Sequence, residues 1–131
     1  MCNVDIANER PGAEPYADEG MERVGLSAAG MRFDDRGLVT VVVQQGGTGE
    51  VLMVAWANEE ALRLSLETGT TWFWSRSRRE LWNKGATSGN VQRLRRVLVD
   101  CDADTLVYEV DSPGPACHTG HRSCFYRELT A

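Results

Sequence analysis

Apolar and polar residues change their spacing several times along this 131-residue chain, and each change marks an element. The run "GLVTVVVQQ" (37–45) is dense in β-branched residues and stops at the turn signal "GGTG", after which "EVLMVAWAN" (50–58) follows. Two such runs around a Gly-rich turn predict a β-hairpin. The spacing then shifts toward a helical period. Asn58 has the chemistry of an N-cap, Glu59 and Glu60 suit the positive end of a helix dipole, and Gly69 ends the pattern. Such a helix should turn Ala61, Leu62, Leu64 and Leu66 toward the core. In "TTWFWS" (70–75) alternation returns, with Trp72 and Trp74 on one face and Phe73 on the other, the two tryptophans being expected in the core. "KGATSGN" (84–90) reads as loop, "VQRLRRVLVD" (91–100) and "TLVYEV" (105–110) as strands joined by "CDAD", and "SCFYREL" (123–129) as a final short strand. The fold class that results is α+β, a mostly antiparallel β-sheet with one main helix.

Residues 1–20 break this pattern. They are rich in Pro, Gly and acid without periodicity and read as a disordered acidic tail, leaving residues 21–131 as a single domain. The net charge of −5 originates here, because residues 1–22 carry six acidic side chains against Arg10 while the remainder balances. Within that balanced part, Arg76, Arg78, Arg79, Lys84, Arg93, Arg95 and Arg96 stand against Glu80 alone. Such a segment is either a solvated basic face or a site for an anionic ligand. No apolar stretch approaches the roughly 18 residues of a membrane span, and no signal-peptide core opens the chain. A cytoplasmic protein with reduced thiols and no membrane partner is therefore expected.

The candidate chemistry concentrates in "PACHTGHRSC" (115–124), which holds both histidines and two of the four cysteines. Cys101 stands sixteen residues before Cys117, and Cys124 seven after it. Reduced thiols at such positions are better read as zinc ligands than as bridges. Three protein ligands and a water would make an open, catalytic site. A fourth ligand, His121 or less readily His118, would close it as a structural one, and buried unliganded cysteines are the third reading. Spacing leaves all three open. Asp100, Asp102 and Asp104 alternate around Cys101, sharing a face in extended chain or fanning around the tip of a tight turn. A hard cation such as Mg²⁺ would relieve their mutual repulsion, although Asp is also a common turn former. A zinc deaminase would need H-x-E and P-C-x-x-C, and a redox dithiol C-x-x-C; none occurs. A structural zinc module binding a polyanion through residues 76–96 remains the non-enzymatic alternative.

"WSRSRRELWNKGATSGN", "DCDADTL" and "GPACHTGHRSCFY" resemble the signatures of phosphoribosyl-AMP cyclohydrolase, a hydrolase of histidine biosynthesis. The likeness runs in order from about Met31 to Tyr126 and includes "GLVTVVVQ" and "VLMVAWANEEAL". The resemblance implies hydrolysis of the N1–C6 bond in the adenine ring of 1-(5-phosphoribosyl)-AMP, giving an imidazole carboxamide. It implies one Zn²⁺ per subunit on Cys101, Cys117 and Cys124, and Mg²⁺ on Asp100, Asp102 and Asp104. It also implies an intertwined homodimer whose zinc sites draw on both chains, with no nucleic-acid partner. Some relatives carry a fused phosphoribosyl-ATP pyrophosphohydrolase domain. This chain stops seven residues beyond Cys124 and is expected to be monofunctional.

The residues themselves suit that reaction. For a substrate with two 5′-phosphates, Arg76, Arg78, Lys84 and Ser88 are the candidate binding residues, without the pattern of a P-loop. Zinc lowers the pKa of bound water to about 7 with neutral histidine ligands. Three thiolates donate more charge, so a weaker effect and a greater need for a base are expected. His118, adjacent to Cys117, is the candidate general base; its alternative role is to orient the loop or donate to a thiolate. His121 reads as a surface or supporting residue, and Trp82 is left unassigned.

Overall fold

Val39, Val41 and Val43 point inward along β1 (Val39–Gln45), and the rest of the domain is arranged around that strand. The computed structural model describes residues 20–131, so residues 1–19 of the expected acidic tail lie outside the described residues. After a 3₁₀ turn at Ala28–Gly30 come β1, β2 (Val51–Ala57), α1 (Glu59–Thr68), β3 (Trp72–Ser75), β4 (Glu80–Asn83), β5 (Arg93–Val99) and β6 (Thr105–Asp111). Four strands form one sheet in the order β2-β1-β6-β5, and β3 pairs with β4 in a separate ribbon.

The expected hairpin is present: β1 and β2 run antiparallel from Val39 opposite Ala57 to a register shift at Val43/Gln44 beside the turn. β5 and β6 are likewise antiparallel across the "CDAD" turn. The central β1–β6 pair is parallel, with Val41 opposite Leu106 and Val43 opposite Tyr108. A parallel pair needs a long crossover, and α1 with the β3–β4 ribbon supplies it. The α+β, mostly antiparallel class therefore holds with one parallel pairing at its centre.

Helix α1 is bounded as its sequence implies. Asn58 Oδ1 accepts from the Ala61 N–H at 2.8 Å, and Gly69 adopts φ 74° at the other end. Its inward face is Ala61, Leu62 and Ser65. Leu66, expected in the core, is 54% exposed. With about 100° per residue, it falls beyond the Leu62 edge of the buried stripe. Ser65 is tolerated inside because its hydroxyl donates to the Ala61 carbonyl (2.9 Å) and accepts from the Trp72 N–H (2.9 Å).

In β3 the buried face is that of Phe73, not of the tryptophans. Phe73 is fully enclosed, 4.9 Å from the Trp82 ring and 5.8 Å from Tyr108. Trp72 is half-buried against the core, and Trp74 is half-buried outside it. Strand β4 has too little apolar alternation to be read from sequence, and it forms as the partner of β3. The expected final strand does not form. Residues 123–129 find no ladder partner; instead Cys124 N–H donates to Leu52 O (2.7 Å) and Phe125 N–H to the Ser123 hydroxyl (2.9 Å).

Candidate active site

The turn between β5 and β6 gathers the three aspartates. Asp100 Oδ1 accepts from the N–H groups of Asp104 (3.0 Å) and Thr105 (3.2 Å), and Ala103 takes the left-handed φ of 62° that closes the turn. Arg32 N–H donates to Ala103 O at 2.7 Å, fastening the tip to the N-terminal segment. One carboxylate oxygen from each of Asp100, Asp102 and Asp104 lies within 4.8 Å of the others, all three residues exposed. They therefore fan around a tight turn. Like charges this close divide their titration. Desolvation pushes the Asp100 carboxyl up, but hydrogen bonds from Asp104, the Asp104 and Thr105 backbone and Asp102 outweigh it and hold it below the usual range. Asp102 moves the other way, raised by sharing hydrogen bonds with Asp104 and Asp100.

The loop of residues 116–124 brings two thiols together. Ala116 N–H donates to Arg122 O (3.1 Å), Cys117 N–H to His121 O (3.2 Å) and Gly120 N–H to Cys117 O (3.0 Å). Gly120 sits at φ 91°, where a side chain would be strained. The Ser123 hydroxyl donates to Val51 O at 2.7 Å, so together with Cys124 the loop is laced to the edge of β2. Cys117 is buried and Cys124 exposed, and the two thiols lie near enough to shift each other's titration in opposite directions. The Thr119 hydroxyl, 2.9 Å from Cys117 Sγ, leads in lowering that thiol. Desolvation, then the neighbouring Cys117, push Cys124 up.

Thr119 was not singled out by sequence reasoning. It bridges Cys117 to His121 Nδ1 (2.8 Å), whose ring stacks on Tyr126 at 3.7 Å. The His121 ring is thus held between Thr119 and Tyr126. His118 is exposed, and among the described residues its ring has no hydrogen-bond partner. Cys101 stays on the aspartate turn: the three cysteines do not converge within one chain, and the only group of three metal-type side chains among the described residues is the aspartate trio.

The four candidate substrate residues are divided between two recesses. Arg78, Lys84 and Ser88 line one of about 420 Å³ together with Trp72, Trp82 and Asn83. Arg76 lines another of about 480 Å³ with Arg36, Arg79, Leu38 and Trp74, its guanidinium carbon 3.4 Å from the centre of the Trp56 ring. Arg36 and Arg79 were not anticipated in this grouping. Arg96 is occupied elsewhere, paired at 3.2 Å with the buried Glu109.

A family model described as phosphoribosyl-AMP cyclohydrolase matches residues 53–126, which include the aspartate turn and both loop cysteines. The chain belongs to the phosphoribosyl-AMP cyclohydrolase family. The phosphoribosyl-AMP cyclohydrolase of Micrococcus luteus is 64% identical over 102 residues, covering 77% of this chain and 81% of that protein. That of Clostridium botulinum is 60% identical over 93 residues, 71% of this chain and 84% of the relative. That of Archaeoglobus fulgidus is 57% identical over 99 residues, 76% of this chain and 92% of the relative. The chain is accordingly an enzyme, a hydrolase, and the polyanion-binding module is set aside.

The donor sets suit two different cations. Clustered carboxylate oxygens on a turn match a hard ion such as Mg²⁺. Cys117 and Cys124 offer soft sulfur, a donor that zinc accepts. Among the described residues, no helix is long and apolar enough to cross a membrane.

Proposed function

We propose that the chain hydrolyses the N1–C6 bond of the adenine ring in 1-(5-phosphoribosyl)-AMP, a step of L-histidine biosynthesis, in the cytoplasm. The observation that carries this reading is that Cys117 and Cys124 sit at the two ends of one hydrogen-bonded loop inside the stretch matched by the family model, with Cys101 apart on another turn. Two thiols of one chain make an incomplete zinc site, and Cys101 of a second copy completes it. The active form is therefore a homodimer, with residues 21–131 of each copy as its single domain. The thiols of Cys101, Cys117 and Cys124 would hold zinc, which would supply Lewis-acid chemistry and make water more acidic. Asp100, Asp102 and Asp104 would hold Mg²⁺.

The chain's own groups do the rest. His118, adjacent to Cys117 and free of hydrogen bonds among the described residues, takes a proton from the attacking water and returns it to N1 as the C6–N1 bond breaks. Thr119 and His121 hold the Cys117 sulfur from behind. The two basic recesses suit the two 5′-phosphates: Arg78 and Ser88 in one, Arg36, Arg76 and Arg79 in the other. Trp74 offers an apolar wall beside the second.

The test is direct. Incubation with 1-(5-phosphoribosyl)-AMP, zinc and magnesium should produce the absorbance change of ring opening, and chelation of zinc should stop it. An intact purine after prolonged incubation with the metal-loaded protein would exclude the reading.

A further inference from the structure

Lys84 lies at the head of the "KGATSGN" loop, where a phosphate ligand would be expected to project into solvent. It does not. It is half-buried, its N–H donates to Thr71 O (3.0 Å), and its Nζ donates to the carbonyl of Ala116 at 2.5 Å. Ala116 is the residue immediately before Cys117. The two loops are shaped for this approach. Gly85, at φ 88°, has no space for a Cβ, which would meet the backbone of Asn90 and Val91; a Cβ on Gly114 would run into the Asn90 side chain. Gly85 lets the 84–90 loop close on itself, and Gly114 lets residue 114 lie directly against Asn90 of that loop. Among the described residues no carboxylate pairs with Lys84, and the carbonyl that holds its ammonium belongs to the residue bonded to Cys117.

A divalent ion on three thiolates carries a surplus of one negative charge, which a fixed ammonium beside it would offset. A carbonyl held by that ammonium also fixes the backbone from which Cys117 projects. We propose that Lys84 is a positioning residue of the zinc site: its Nζ anchors the Ala116 carbonyl and so the Cys117 sulfur, and its charge balances the three-thiolate set. This rests on the zinc reading above and replaces the assignment of Lys84 to a substrate phosphate.

Three variants separate the parts of the role. Lys84→Met removes both donor and charge, Lys84→Gln keeps a donor to the carbonyl without the charge, and Lys84→Arg keeps both. Zinc affinity, measured by competition with a chromophoric chelator on protein whose folding is checked by circular dichroism, is the readout beyond activity. Loss of a group that orients a metal ligand costs about 10- to 100-fold in affinity. Lys84→Met should hold zinc at least about tenfold more weakly, Lys84→Gln should fall between it and wild type, and Lys84→Arg should retain most of the affinity. At saturating zinc, the KM for substrate should stay near that of wild type.

Unchanged zinc affinity in folded Lys84→Met or Lys84→Gln overturns the inference, as does a raised KM with intact zinc binding, which returns Lys84 to the phosphate. A wild-type protein that takes up no zinc removes the zinc reading itself, and this inference with it.

Discussion

The aspartate turn and the thiol loop both present metal-type side chains, but they differ in how much of their shape comes from outside contacts. The turn closes on itself: Asp100 accepts the N–H groups of Asp104 and Thr105, and all three carboxylates meet within five residues of chain. The thiol loop has its own backbone hydrogen bonds but is also held from outside, by the Leu52 and Val51 carbonyls of β2 and by Lys84 thirty-two residues before Ala116. The turn offers hard oxygen and a whole set; the loop offers soft sulfur and part of one. A self-closed turn tolerates exposure because its charges remain hydrated. Under the proposed zinc reading, the sulfur pair needs a scaffold, and the third ligand makes assembly part of the site.

The comparison breaks most sharply at Cys117. Cys117→Ser should abolish stoichiometric zinc and turnover together, while magnesium binding at the turn persists. Metal analysis by mass spectrometry of the purified variant checks this. A variant that retains one zinc per chain would place the ion elsewhere. His118→Ala comes next and divides the loop's own labour. It should keep its zinc and lose turnover by about 10²- to 10⁴-fold, the usual contribution of a positioned acid–base group. Full kcat at neutral pH with zinc in place would remove His118 from proton transfer. Asp102→Asn should do the opposite of Cys117→Ser: zinc intact, and the magnesium needed for half-maximal rate raised by about tenfold. A titration of rate against magnesium in both proteins decides it.

Much of this contrast was legible before any coordinates. The β-branched runs, the Asn58 cap and the Gly69 stop are local signals, and the hairpin and α1 formed where they pointed. The aspartate turn is local too, so its three residues were found together. What escaped was decided by tertiary packing. Alternation in β3 told which side chains share a face but not which face is covered; the sheet and Trp82 cover that of Phe73. Leu66 has the right chemistry for a core and the wrong angle around the helix. Lys84 looked like one more member of a basic segment, because nothing in "WNKGA" says that its ammonium will meet the carbonyl of Ala116. Arg96 carried the same signal and ended in an ion pair with Glu109. Charge runs announce cations; only the fold says which of them are already engaged.

The smallest expected effect sits in the turn and concerns stability, not rate. In the metal-free protein the Asp100 carboxyl is held below its ordinary value, desolvation being outweighed by its hydrogen bonds, whereas an unfolded Asp titrates near about 3.9. Between those two values the unfolded chain binds more protons, so stability rises with pH. The contribution is complete above the unfolded value and is lost as pH falls through the folded one. Asp102 is raised by its neighbours, so its own contribution has the opposite slope, declining as pH climbs past the usual carboxylate range. Asp100→Asn should flatten the acid-side slope, and Asp102→Asn should flatten the decline above it. Urea unfolding in chelator across this pH range measures both. Parallel curves for wild type and the two variants would mean that the turn stores no charge tension, and that its geometry, like that of the thiol loop, is imposed by the surrounding fold.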